Sequence, residues 1–314
     1  MFPEPRFVDT NGIRMAVHEQ GDGPPVVFLH GFPELAFSWR HQLPAVAAAG
    51  YRAIAPDLRG YGATDKPAGV ENYTVEELSA DVTGLLDAEG LDQAVFVSHD
   101  WGALLAWQMA LLVPDRMAGL VALNIPFIPR PPVDPISLMR AALGDDFYIV
   151  NFQDSDEADR RCDENPAWMI EVMMRRNVIT RERFNTLPKR MKSFSILAAL
   201  NRTEPSGERL LSAEELRVYA DAFAAGGFTA PINWYRNWTR NWEATADVEQ
   251  IVRVPTLFIG AVNDIVVSLN QIETMPAHVP DLEMHMLDDC GHWSQQEKPE
   301  EVNALLLDWL SRHL

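Results

Sequence analysis

Short, largely apolar runs separated by glycine-containing loops mark the first part of the chain. Pro25–Leu29, Arg52–Ala55, Ala94–Val97 and Gly119–Leu123 are such runs. Apolar stretches this short, without polar alternation, predict strands covered on both faces. Arg6–Asp9 and Arg14–Glu19 flank Thr10-Asn11-Gly12, a tight-turn signature that predicts a hairpin. Between the strands, Val75–Glu89 places Val75, Leu78, Val82, Leu85 and Leu86 at helical spacing. Buried strands alternating with helices predict a parallel sheet with helices on both sides.

After Asn124-Ile125-Pro126 the pattern changes. From Pro129 to Ala246 the chain reads as helical and rich in Met, Trp and Arg, broken by Pro166, Pro188, Pro205 and Pro231, with no strand alternation. Strand–helix alternation resumes at Val254–Gly260 and Glu283–Leu287, and an amphipathic helix runs from Pro299 to near Leu310. The economical division is an α/β core in two parts, 1–128 and 247–314, interrupted by a helical cap at 129–246, a segment of ordinary domain size.

Composition narrows the function classes. The 314 residues are 47% hydrophobic and 23% charged, as in a globular enzyme. A net charge of −19 argues against nucleic acid and anionic membranes, which bind through excess Lys and Arg. Cys162 and Cys290 lack metal-ligand spacing and form no disulfide framework. No signal-peptide pattern opens the chain, and no apolar run approaches the ~18 residues of a membrane span. A soluble cytoplasmic protein is the expectation, as either monomer or homodimer.

The most informative residue is Asp100. It sits in Gln93–Ala103, where a short apolar strand meets a small-x-nucleophile-x-small turn and then a helix. That turn presents its central side chain at the top of a sheet, with backbone N–H groups beside it. A carboxylate of ordinary pKa ~3.9 is already ionised and needs no base to attack. Attack on a carbonyl would give an anhydride, whereas attack on a saturated carbon bearing a leaving oxygen or halide gives an ester. The residue therefore points to an alkyl-transferring hydrolase.

Other reactive groups follow predicted strands. His30-Gly31-Phe32-Pro33-Glu34 succeeds Val27–Leu29 and can aim the Phe32 N–H at Asp100. With the Trp101 N–H it would form an oxyanion hole, each donor contributing ~3 kcal/mol to the transition state. Asp264 follows one later strand and His292 follows the next, giving the chain order nucleophile, acid, histidine. Alone, an Asp in such a turn is a helix N-cap, and a single His is a structural one. Their common placement at strand ends favours a triad. Glu34 reads as an orienting or relay group, His99 as a structural histidine, and Arg59 and Asp65 as turn and salt-bridge residues. His30, Phe32, Trp101 and Trp234 are expected at the substrate.

The chain resembles the epoxide hydrolases of the α/β-hydrolase fold. The likeness rests on His30–Glu34, Arg59–Pro67, His99-Asp100-Trp101-Gly102 and Gly291–Pro299, motifs that span nearly the whole chain. In the cap, Phe147–Gln153 and Asn233–Trp238 are similar to the segments bearing that family's two tyrosines, here Tyr148 and Tyr235. Asp154-Ser155 departs from the Pro-Gly common at that point, which bears on local cap geometry.

The resemblance implies a mostly parallel eight-stranded sheet and an epoxide held by both phenols between core and cap. Asp100 would open the ring, and a water activated by His292 and Asp264 would release a diol. It implies no metal or organic cofactor, and no partner beyond substrate and water. A haloalkane or haloacid dehalogenase is the alternative, disfavoured by Phe32, Trp101 and the tyrosines. A non-catalytic binding protein on the same fold is the more distant one.

Overall fold

The computed structural model describes residues 2–314. The core strands before the cap are β1 (Arg6–Thr10), β2 (Ile13–Gln20), β3 (Pro25–Leu29), β4 (Arg52–Pro56), β5 (Ala94–His99) and β6 (Met117–Leu123). In the cap, β7 (Arg175–Arg176) and β8 (Glu208–Arg209) form a small antiparallel pair. β9 (Thr256–Ala261) and β10 (Leu282–Leu287) complete the core. The main sheet has eight strands in the order β1-β2-β4-β3-β5-β6-β9-β10. β1 and β2 join antiparallel, and every pairing from β4 to β10 is parallel.

The expected hairpin forms, with Asn11 and Gly12 at φ 43° and 74° between the paired Thr10 and Ile13. Positive φ at both central residues matches the right-handed twist of the flanking strands. The buried strands alternate between two cores. Val26, Phe28, Val95 and Val97 face one side, where Leu43 and Val302 from covering helices meet them. Val27, Leu29 and Phe96 face the other, against Val82 and Leu85 of the helix Val75–Ala88. The closing helix, Pro299–His313, carries Val302, Leu306 and Leu310 at helical spacing onto the sheet. It continues past Leu310 through a polar last turn that apolar periodicity could not mark.

The inserted segment is helical except for β7–β8, a departure from the expectation of helices throughout. Strands of two residues are too short for alternation to register. The cap joins the second of the two cores, where Phe152, Tyr219 and Trp234 pack in one cluster with Phe32. Polar ties hold it as well: Ser38 Oγ meets the Tyr219 hydroxyl at 2.8 Å, and Trp234 Nε1 donates to Arg59 O at 3.0 Å. Among the described residues, no helix is long and apolar enough to cross a membrane.

Candidate active site

β5 ends at His99, and the helix Trp101–Leu112 begins one residue after Asp100. Asp100 takes φ 51° and ψ −120°, a conformation that costs an ordinary residue about 1–3 kcal/mol. Its side chain makes no capping bond to its own helix, unlike a helix N-cap. Instead Oδ1 accepts from Phe32 N–H at 2.8 Å. Two glycines permit this approach. A Cβ on Gly31 would lie 2.4 Å from the Asp100 Cβ, and one on Gly102 would lie 2.1 Å from Leu29 O. The Trp101 N–H stands in the first turn, where a helix offers it no acceptor.

The other oxygen of Asp100 faces His292, with Oδ2 and Nε2 separated by 3.5 Å. His292 Nδ1 donates to Asp264 Oδ2 at 2.9 Å. Asp264 is almost fully buried. Its Oδ1 accepts from Val266 N–H at 2.9 Å, and its Oδ2 also accepts from Asn124 Nδ2 at 2.9 Å. Burial would drive the two carboxyls up in pKa, yet the adjacent His292 holds both below the usual range. Burial pulls the His292 imidazole down, but Asp264 and Asp100 together raise it well above its ordinary value. Both carboxylates therefore favour a proton on the imidazole between them.

Two phenols face this triad from the cap. Tyr148 opens the helix Tyr148–Asp154, and Tyr235 lies in the helix Thr229–Arg236. Their rings meet edge to face with centroids 5.8 Å apart. Tyr235 also packs edge-on against Phe32 at 5.3 Å and Trp101 at 4.8 Å, the two residues whose N–H groups flank Asp100. Burial raises both phenols, and the Asp100 charge raises them further. Such groups stay protonated at neutral pH and can donate to a ligand oxygen.

The structure brings Asp100, His292, Asp264, Tyr148, Tyr235, Phe32 and Trp101 together. Trp234 stands behind Trp101 at 5.8 Å, with its own N–H engaged by Arg59 O. His30, expected at the substrate, turns both ring nitrogens to backbone. It is fully buried, its Nδ1 donates to Gly31 O at 2.9 Å, and its Nε2 accepts from Leu58 N–H at 3.0 Å. Both nitrogens are spent on backbone, so the residue shapes its loop.

Glu34 is equally buried. It accepts from His99 Nδ1 at 2.8 Å, and His99 Nε2 reaches His292 O at 2.7 Å. Asn124 went unread in the sequence beyond marking the end of β6. At φ 66° it turns its amide to both Asp264 Oδ2 and Gly291 O. Asn followed by Pro two residues on signals only a turn, and nothing local shows where its amide points. Among the described residues, no group of three His, Cys, Asp or Glu side chains is placed to hold a metal.

A nucleophile elbow on a mostly parallel sheet, with acid and histidine at later strand ends, defines an enzyme of the alpha/beta hydrolase fold. The sequence matches that family over residues 24–299. It is 43% identical over 317 residues to Epoxide hydrolase A of Mycobacterium tuberculosis, covering 98% of each chain. Bifunctional epoxide hydrolase 2 of Sus scrofa is 38% identical over 95% of this chain and 53% of its own, so this chain spans about half of that relative. The crystal structure of Epoxide Hydrolase A from Mycobacterium thermoresistibile superposes with a TM-score of 0.89, at 39% identity and 98% coverage of both chains. The chain belongs to the epoxide hydrolases of the alpha/beta hydrolase fold.

Proposed function

We propose that this enzyme hydrolyses an epoxide to a vicinal diol through an alkyl ester on Asp100. What supports this reading is an Asp100 carboxylate set between the Phe32 N–H and His292, a His292–Asp264 hydrogen bond, and two buried phenols packed together beside Phe32 and Trp101. The names of the relatives agree with an epoxide substrate and do not favour the dehalogenase reading.

Tyr148 and Tyr235 hold the ring oxygen while Asp100 attacks a ring carbon from the opposite side. The carbon–oxygen bond breaks, and a phenolic proton passes to the departing alkoxide, which is far more basic than a phenolate. Forming the ester also neutralises Asp100. One of the two charges that held the proton on His292 is then gone, and its pKa falls. The base for the second step is therefore created by the first. The proton His292 gives up balances the one the phenol supplied.

Neutral His292, oriented by Asp264, deprotonates a water that attacks the ester carbonyl. The N–H groups of Phe32 and Trp101 hold the resulting oxyanion. As the oxyanion collapses the acyl–oxygen bond breaks, and the departing diol oxygen, which began on Asp100, takes the proton His292 gained from water. The new carboxyl, holding one oxygen from water, passes its own proton to His292 and becomes the carboxylate. Single turnover in heavy-oxygen water should place the label on Asp100 and leave the diol unlabelled. A labelled first-turnover diol would mean direct attack by water and would sink the reading.

A further inference from the structure

The helix Arg181–Thr186 belongs to the cap, yet its first residue reaches into the core loop that carries Asp264. Arg181 is buried, with 8% exposure. Its guanidinium donates from Nε to Val262 O at 3.2 Å, from Nη1 to Val267 O at 2.7 Å, and from Nη2 to Asp264 O. Its backbone N–H donates to Asn263 Oδ1 at 3.0 Å. Four successive attachments thus span the loop on either side of the acid.

A buried guanidinium is a poor choice for sealing a cap, because desolvating the charge costs several kcal/mol. Buried Arg59 and half-buried Arg236 offset that cost with Asp81 and Asp159. Arg181 meets carbonyls only, and burial pulls its pKa down with the Asp264 charge in opposition. What it achieves in return is geometric. Asn124 grips the Asp264 carboxylate from the core, whereas Arg181 grips the backbone beneath it. The same stretch of cap reaches the histidine loop: Trp293 Nε1 donates to Met173 O at 3.2 Å, and its ring lies edge-on to His292 at 4.9 Å.

We propose that Arg181 is a positioning residue for the second half-reaction, fixing the Asp264 loop so that His292 stays aligned with the ester on Asp100. This rests on the ester mechanism above. Asp100 and the phenols have no bond to Arg181, so the ring-opening step does not depend on it.

Rapid-quench mass spectrometry of the intact enzyme, with styrene oxide as probe, separates the two steps. In Arg181→Met, the rate of adduct formation should stay within about twofold of wild type, while adduct breakdown slows about tenfold, the range of a hydrogen-bonded charged group. The adduct should then accumulate, and kcat and KM should fall together. Arg181→Lys keeps the charge and one tether, and should recover part of the breakdown rate. It also carries the test if the Met variant does not fold. Equal slowing of both steps, a rise in KM, or unchanged breakdown in both variants would overturn the role of Arg181. Absence of any adduct in wild type and in His292→Gln would instead overturn the ester mechanism, and this proposal with it.

Discussion

At the scale of single residues, the site is a balance of charge set by burial. His292 lies between Asp100 and Asp264, and each carboxylate favours the imidazolium. Removing one weakens that preference. The His292 ring in Asp100→Ala should therefore titrate at lower pH than in wild type, as followed by imidazole NMR. An unchanged or higher value would show that Asp100 does not hold the proton, and the switch on ester formation would lose its basis. Most of these residues were legible in the sequence because their types carry the chemistry: an aspartate in an elbow, a histidine after a late strand, tyrosines in similar motifs. The backbone contacts of His30 and the acid contact of Asn124 went unread for one reason. Whether a polar side chain serves a ligand or a carbonyl depends on what faces it, and Leu58, Asp264 and Gly291 all come from distant segments.

At the scale of elements, the two phenol-bearing helices are bolted together. Gln153 donates to Tyr235 O at 3.0 Å, and Arg236 donates to Phe152 O at 2.9 Å. Arg236 also pairs with buried Asp159 at 2.9 and 2.6 Å. Removing the arginine leaves that carboxylate unpaired, a change worth about 3 kcal/mol or more. Arg236→Met should lower stability by about that amount in urea denaturation, and should slow adduct formation more than its breakdown, because the spacing of the phenols is lost. A variant with wild-type alkylation would show that the bolt does not set that spacing.

Element types were readable from local pattern, and the strand ends moved by only a residue or two. β3 matched its apolar run residue for residue. β7 and β8 were not readable, since a two-residue pairing is created by its partner rather than by its own sequence.

At the scale of the whole molecule, buried charge ties stability to pH. Burial alone would raise Glu34, Asp57, Asp100 and Asp264, but neighbours hold all of them below the usual range: His99 for Glu34, His18 for Asp57, and His292 for the other two. Their contribution is complete above the unfolded carboxylate pKa of ~4 and is lost as pH falls through the lower folded values. His292 acts in the opposite sense. Its contribution is complete below the unfolded value of ~6.5 and is lost as pH rises through its higher folded pKa. The melting temperature should therefore peak between these limits and drop on acidification below about pH 4. Calorimetry across pH checks this, and stability undiminished at about pH 2 would contradict it.

The sequence by itself determined most strands and helices, their interruption by a helical segment, and which residues are proposed to react. Each of these is written in neighbours a few positions apart or in the chemistry of one side chain. Tertiary structure alone decided which polar groups meet substrate and which meet backbone, how the cap grips the acid loop, and which way each pKa moves. Those outcomes depend on burial and on partners far away along the chain, such as Arg181 and Asp264, and no local pattern encodes them.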